Sequence, residues 1–216
     1  MKTLTKEMQA TITPAMALDL LKEGNKRFVN NLKANRNLLE QANETSDGQH
    51  PFAVILSCID SRTSVELIFD QGLGDVFSVR IAGNIINEDI LGSMEFACKV
   101  AGSKIIVVLG HSKCGAIKGA CDHLEMGNLT ALLSKIQPAV YDEKTVIEDR
   151  HSGNDEFVEK VSTINVKKTV QAIIERSPIL KEMLEARAIG IVGGNHNITT
   201  GEVSFYPNTL VTFRWL

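Results

Sequence analysis

The chain predicts an α/β domain with a mainly parallel central sheet, an antiparallel edge strand and flanking helices. Two observations carry this. Short, mostly apolar runs have the character of strands buried on both faces, as parallel strands are: Phe52-Ala53-Val54-Ile55-Leu56, Val76-Phe77-Ser78-Val79, Ile105-Ile106-Val107-Val108-Leu109 and Ile189-Gly190-Ile191-Val192. Between them lie longer stretches of helical character, and strands alternating with helices build a parallel sheet covered on its faces.

Each element follows in order. Thr13 before Pro14 reads as an N-cap and first helical position, and Ala17, Leu20, Leu21, Phe28 and Leu32 recur at roughly helical spacing, so residues 14 to 32 are expected to form an amphipathic helix. Asn35 to Gln49 is polar and weakly periodic, a connection over the surface or over a second subunit. Helices are expected over 88–100, 116–126 and 155–175, and Ser177-Pro178 opens another over 178–186. Val203-Ser204-Phe205-Tyr206, reached through the Thr200-Gly201 turn, is expected to pair antiparallel with its predecessor. Residues 1–48 are thus a helical arm and connection, and 49–216 the α/β domain that carries the chemistry, the two making one functional domain.

Composition narrows the function. With 216 residues, 44% of them hydrophobic, the chain can bury a substantial core. A net charge of -3 gives no basic face for nucleic acid. No apolar run approaches the roughly 18 residues that a membrane helix needs. The first residues include Lys6, Glu7 and Asp19 where a secretory signal has its apolar core, so a cytoplasmic location is expected. Four cysteines do not make a disulfide framework in a chain this long, which turns attention to metal or catalysis.

Two of the apolar runs end in reactive sequences, Ser57-Cys58-Ile59-Asp60-Ser61-Arg62 and Gly110-His111-Ser112-Lys113-Cys114-Gly115. Ligands of an open α/β sheet collect beyond the carboxyl ends of its strands, so both segments can face one crevice. Cys58, His111 and Cys114 supply two thiolates and an imidazole, a set suited to Zn²⁺, with a fourth position for water or Asp60. Any one of these cysteines alone would read as a small buried hydrophobe; the three ligands together at strand ends do not. Asp60 can accept a hydrogen bond from water on the metal or bind the metal itself, and a pairing with Arg62 would hold it away. Two thiolates offset the zinc charge, so bound water is expected to be less acidic than over three histidines, and activity to be alkaline.

Cys58-x-Asp60-x-Arg62 followed by His111-x-x-Cys114-Gly115 closely resembles the metal and dyad motifs of the β-carbonic anhydrases. The resemblance runs from about Gln49 to Cys121, through Phe69-Asp70-Gln71-Gly72-Leu73-Gly74-Asp75, Arg80-Ile81-Ala82-Gly83-Asn84 and Gly92-Ser93-Met94-Glu95-Phe96, and more weakly through the C-terminal strands. It implies reversible hydration of carbon dioxide to bicarbonate by a hydroxide carried on zinc, with Asp60 and Arg62 catalytic. It further implies that Gln49 orients substrate and that Phe77, Phe96 and Gly115 line a small apolar pocket. A homodimer or homotetramer, with its active site at a subunit boundary, is implied as well. One subtype of the family uses a tryptophan on the strand before the first cysteine for a bicarbonate switch; here Ile55 stands on that strand and the only tryptophan is Trp215, so the plant-like subtype is expected.

Ile59, Thr63 and Ile81 depart from the commonest family pattern, and Gly193-Gly194-Asn195-His196 stands where the family often has an aromatic residue. His50 reads as a loop histidine rather than a proton shuttle, His123, His151 and His196 as structural or surface residues, and Cys98 and Cys121 as core. Lys113 is expected to reach solvent. Hydrolysis of carbonyl sulfide or carbon disulfide, a non-catalytic zinc protein and a thiol redox protein are the alternatives; the last would need a Cys-x-x-Cys pair, which is missing.

Overall fold

The computed structural model describes residues 3–211, so Trp215 lies outside the described residues. Three helices come first, α1 (Lys6–Thr11), α2 (Pro14–Val29) and α3 (Leu38–Glu44), followed by β1 (Ala53–Ser57), α4 (Val65–Ile68), β2 (Val76–Arg80) and α5 (Glu88–Glu95). Then come β3 (Ile105–His111), α6 (Gly115–Cys121), α7 (Gly127–Leu133), α8 (Gln137–Asp142), α9 (Asp155–Arg176), α10 (Pro178–Glu185), β4 (Gly190–His196) and β5 (Val203–Phe205).

The sheet order is β2-β1-β3-β4-β5, with β5 alone antiparallel. Burial explains the unbroken apolar runs. Val54 and Leu56 of β1, with Ile106 and Val108 of β3, pack under α9 and α10 on one face; Ala53 and Ile55, with Ile105, Val107 and Leu109, pack against Ala17, Leu18 and Leu21 of α2 on the other. A third cluster, built on Ile117, Ile136 and Phe157, encloses Cys58 and Cys114.

Local chemistry sets the ends. The Thr13 hydroxyl accepts from Met16 N–H and Pro14 starts α2 as expected, but the helix stops at Val29, capped by Asn30, and Asn31 turns left-handed at φ 54°. The expected helix over 88–100 loosens after Glu95 into a π-helical turn, Phe96–Val100. The one over 116–126 ends at Cys121, two residues before the left-handed His123. The polar connection holds an unpredicted helix, α3, capped by Asn37. Asp70 ties this arm down: its carboxylate, only 4% exposed, accepts from Arg27 Nε and Arg36 Nη1, both at 2.5 Å, and from Ala34 N–H at 3.1 Å.

Candidate metal centre

Parallel pairing brings the two reactive segments together. Ser57 is the register partner of Leu109, so Cys58 and the Gly110–Cys114 turn leave neighbouring strands at the same carboxyl edge. The donor atoms of Cys58, His111 and Cys114 lie within 4.8 Å of one another, all on buried residues, and form the one such metal-capable group among the described residues.

This geometry fits zinc. The sulfurs of Cys58 and Cys114 are 3.9 Å apart, and tetrahedral bonds of about 2.3 Å would separate them by about 3.8 Å. His111 Nδ1 sits 3.0 Å from Ser112 O, a carbonyl that can only accept, so the ring proton belongs on Nδ1. His111 Nε2 is left buried without any hydrogen-bond partner. An imidazole nitrogen without a hydrogen-bond partner, grouped with two thiols, is a donor set whose chemistry fits zinc.

Hydrogen bonding already favours charge on one of the two sulfurs, that of Cys58. A hydrogen bond from Cys114 pulls the Cys58 thiol down to about 4, helped by His111 and by Gly83 N–H at 3.4 Å, while Cys114 is pushed up by that same neighbour and by burial. Gly83 takes φ 68°, and a β-carbon there would come within 2.6 Å of Ile136. By contrast, burial raises Cys98 to about 12 and Cys121 to about 11, in keeping with their reading as core.

Asp60 is not part of the metal group. Its two oxygens are held by Arg62, through Nε at 2.9 Å and Nη2 at 2.8 Å, with Arg62 N–H a third donor at 2.9 Å. That pairing holds its carboxyl well below the usual carboxylate range. The loop around it is braced by Arg80, which donates to Cys58 O at 3.0 Å and Asp60 O at 2.6 Å, and by the Thr63 hydroxyl, which donates to Asp60 O at 2.9 Å. Thr63 therefore departs from the family pattern without leaving its buried hydroxyl unsatisfied. Ile59 is exposed, and Ile81 is half-buried against the core.

The other residues singled out by the family resemblance divide. Gly115 opens α6 beside Cys114 and faces open space. Gln49 is exposed and precedes β1, at the opposite end of that strand from Cys58. Phe77 and Phe96 meet edge to face, 6.4 Å apart, in a groove of about 790 Å³ along the β2 edge that also touches Arg80. The metal group and these three residues are not gathered into one site within the chain.

His196 is buried beside the centre and is not a surface residue. It is the register partner of His111 on β4, so the two side chains leave the sheet on the same face. It is 3% exposed, and neither ring nitrogen has a hydrogen-bond partner; burial, with His111 beside it, lowers its pKa to about 4. Its place at a strand end level with a ligand is the signal that would have marked it.

The carbonic anhydrase family model matches residues 53–203. The carbonic anhydrase 2 of Mycobacterium tuberculosis is 36% identical over 194 residues, 87% of this chain and 90% of that one. The carbonic anhydrase of Mycolicibacterium smegmatis is 34% identical over 196 residues, 88% and 92%. In fold, the chain is similar to a tetrameric β-carbonic anhydrase of Sordaria macrospora, with a TM-score of 0.71 at 24% identity over 89% of this chain and 95% of that one. With the Cys-His-Cys group at the strand ends and the Asp60–Arg62 pair beside it, these likenesses mean that the chain belongs to the β-carbonic anhydrase family, a family of zinc enzymes.

Proposed function

We propose that the chain hydrates carbon dioxide reversibly to bicarbonate and a proton, with zinc held by Cys58, His111 and Cys114. The observation that carries this is the buried, unpartnered His111 Nε2 converging with two thiols beside a carboxylate held by an arginine. Zinc, when bound, supplies the Lewis acidity that makes hydroxide available as a nucleophile near neutral pH. The thiolates of Cys58 and Cys114 offset its charge and move that acidity to higher pH. Asp60, kept anionic by Arg62, is the acceptor that orients the attacking oxygen through its remaining proton. Arg62 keeps the same carboxylate off the metal. Gly115 leaves room beside Cys114 for a small linear substrate.

Gln49, Phe77 and Phe96 are read as serving the metal centre of a second copy. The place of Gln49 at the far end of β1 from Cys58 supports this, as do the exposed apolar side chains of Phe96 and Val100, 54% and 71% exposed. The assembly is then a homodimer or a pair of dimers, of the plant-like subtype. Residues 1–48 are the covering arm and 49–216 carry the chemistry. A reducing cytoplasm suits four unpaired cysteines, two of them needed as thiolates.

The test is stopped-flow hydration of carbon dioxide by the zinc-loaded protein over roughly pH 6.5 to 9, the span in which water on zinc titrates. Activity rising with pH is the expected result. Zinc bound without activity anywhere in that range would refute the assignment.

A further inference from the structure

Lys113 lies between two ligands, yet its exposed side chain is not what the turn depends on. Its backbone is left-handed, φ 56°, a conformation that a residue with a β-carbon adopts at a cost. The reversal there turns Cys114 back toward Cys58, because the chain runs straight along β3 as far as His111. Such a conformation persists only where neighbours over-determine it.

The neighbours are identifiable. Ser112 N–H donates to His196 O at 3.0 Å, and the Ser112 hydroxyl accepts from Ile198 N–H at 3.0 Å, so the end of β4 and the residues just after it steady the first half of the turn. The strained residue itself is held from α9: Lys113 N–H donates to Glu159 Oε1 at 3.0 Å. A carboxylate accepting from a backbone N–H makes one of the stronger hydrogen bonds. Further along α9, Asn165 Nδ2 donates to Gly83 O at 2.9 Å, and Gly83 N–H points at Cys58 Sγ. One helix therefore anchors the backbone next to both thiols.

We propose that Glu159 is a positioning residue of the metal centre: by holding Lys113 N–H it fixes the left-handed turn that brings His111 and Cys114 to a common point. This rests on the metal reading above. Glu159 touches neither metal nor substrate, and the effect should appear first in how tightly zinc is kept.

The experiment measures zinc release to a chelator from the zinc-loaded protein, its Glu159→Ala and Glu159→Gln variants, and the same set carrying Lys113→Gly. Glu159→Ala keeps α9 helical and should release zinc on the order of ten to a hundred times faster, the usual cost of losing a group that orients a ligand. Glu159→Gln retains an acceptor and should recover much of the difference. Glycine takes positive φ freely, so with Lys113→Gly in place the Glu159→Ala effect should shrink severalfold. Unchanged release in Glu159→Ala, or the same ratio with and without Lys113→Gly, would overturn the role for Glu159 while leaving the metal reading standing. A wild-type chain that takes up no zinc would overturn both.

Discussion

Arg62 grips Asp60 with two parallel hydrogen bonds, Nε to Oδ1 and Nη2 to Oδ2, and adds its own backbone N–H to Oδ1. A fork of this kind fixes direction as well as charge. Arg62→Ala should keep its zinc and lose hydration activity by on the order of a hundredfold, the scale of a misplaced acid–base group. Arg62→Lys retains the charge without the fork and should restore only part. Metal analysis beside stopped-flow rates checks both; full activity in Arg62→Ala removes the pair from the mechanism.

The second-copy reading of Gln49 makes an unusual prediction. Cys114→Ser should lose zinc and activity together, and Gln49→Ala should keep zinc but lose activity. Mixing the two and allowing subunits to exchange should bring activity back, because a mixed dimer holds one intact zinc site completed by the other chain's Gln49. Mixtures no more active than the sum of their parts would refute the second-copy reading, and full activity in Gln49→Ala alone would place Gln49 outside the reaction.

Asp70 anchors the arm through Arg27 and Arg36, the latter 7% exposed. Removing one partner of a buried charge cluster typically costs about 3–5 kcal/mol, and Asp70→Asn should lose stability on that scale at pH 7 in urea unfolding. Burial alone would raise the Asp70 pKa, but the hydrogen bonds from Arg27, Arg36 and Ala34 outweigh it and hold the pKa below its ordinary value. Its contribution is therefore complete above the unfolded pKa of about 3.9 and fades as pH falls through the folded value. The gap between variant and wild type should narrow below about pH 4.

Gly24 lies mid-helix in α2, where alanine would ordinarily gain up to about 1 kcal/mol. Here a β-carbon would sit 1.8 Å from Phe69 O. Backbone cannot yield as a side chain can, so Gly24→Ala should destabilise by about 3 kcal/mol or more. Chemical denaturation gives the sign directly.

The proposed metal ligands are legible in the sequence because Cys58 and His111 stand where an apolar strand run stops, with Cys114 three residues on, and the sheet topology then makes residues 58 and 111 neighbours. The helices that cap well, α2 and α10, are legible for the same kind of local reason, Thr13-Pro14 and Ser177-Pro178. What brings Arg36 to Asp70, Asn165 to Gly83 or Glu159 to Lys113 is packing between elements 34 to 82 residues apart, which no local pattern reports. Five short helices, α1, α3, α4, α7 and α8, escape because four to seven residues hold too little periodicity to separate from a loop. His196 escapes because its sequence neighbours are glycines and asparagines, and only pairing with β3 sets it beside a ligand.

Zinc at this centre would do for the chain what a cross-link does. Its ligands join residue 58 to residues 111 and 114, closing a segment that contains β2, α5, Phe77 and Phe96. By the chain-entropy reckoning used for disulfides, pinning a loop of that length restricts the unfolded chain by about 4 kcal/mol. In the assembly proposed above, the stapled segment is also the face offered to a second subunit, so a chain stripped of its metal should loosen at the surface where it would pair, and metal loading and association become two readings of one equilibrium.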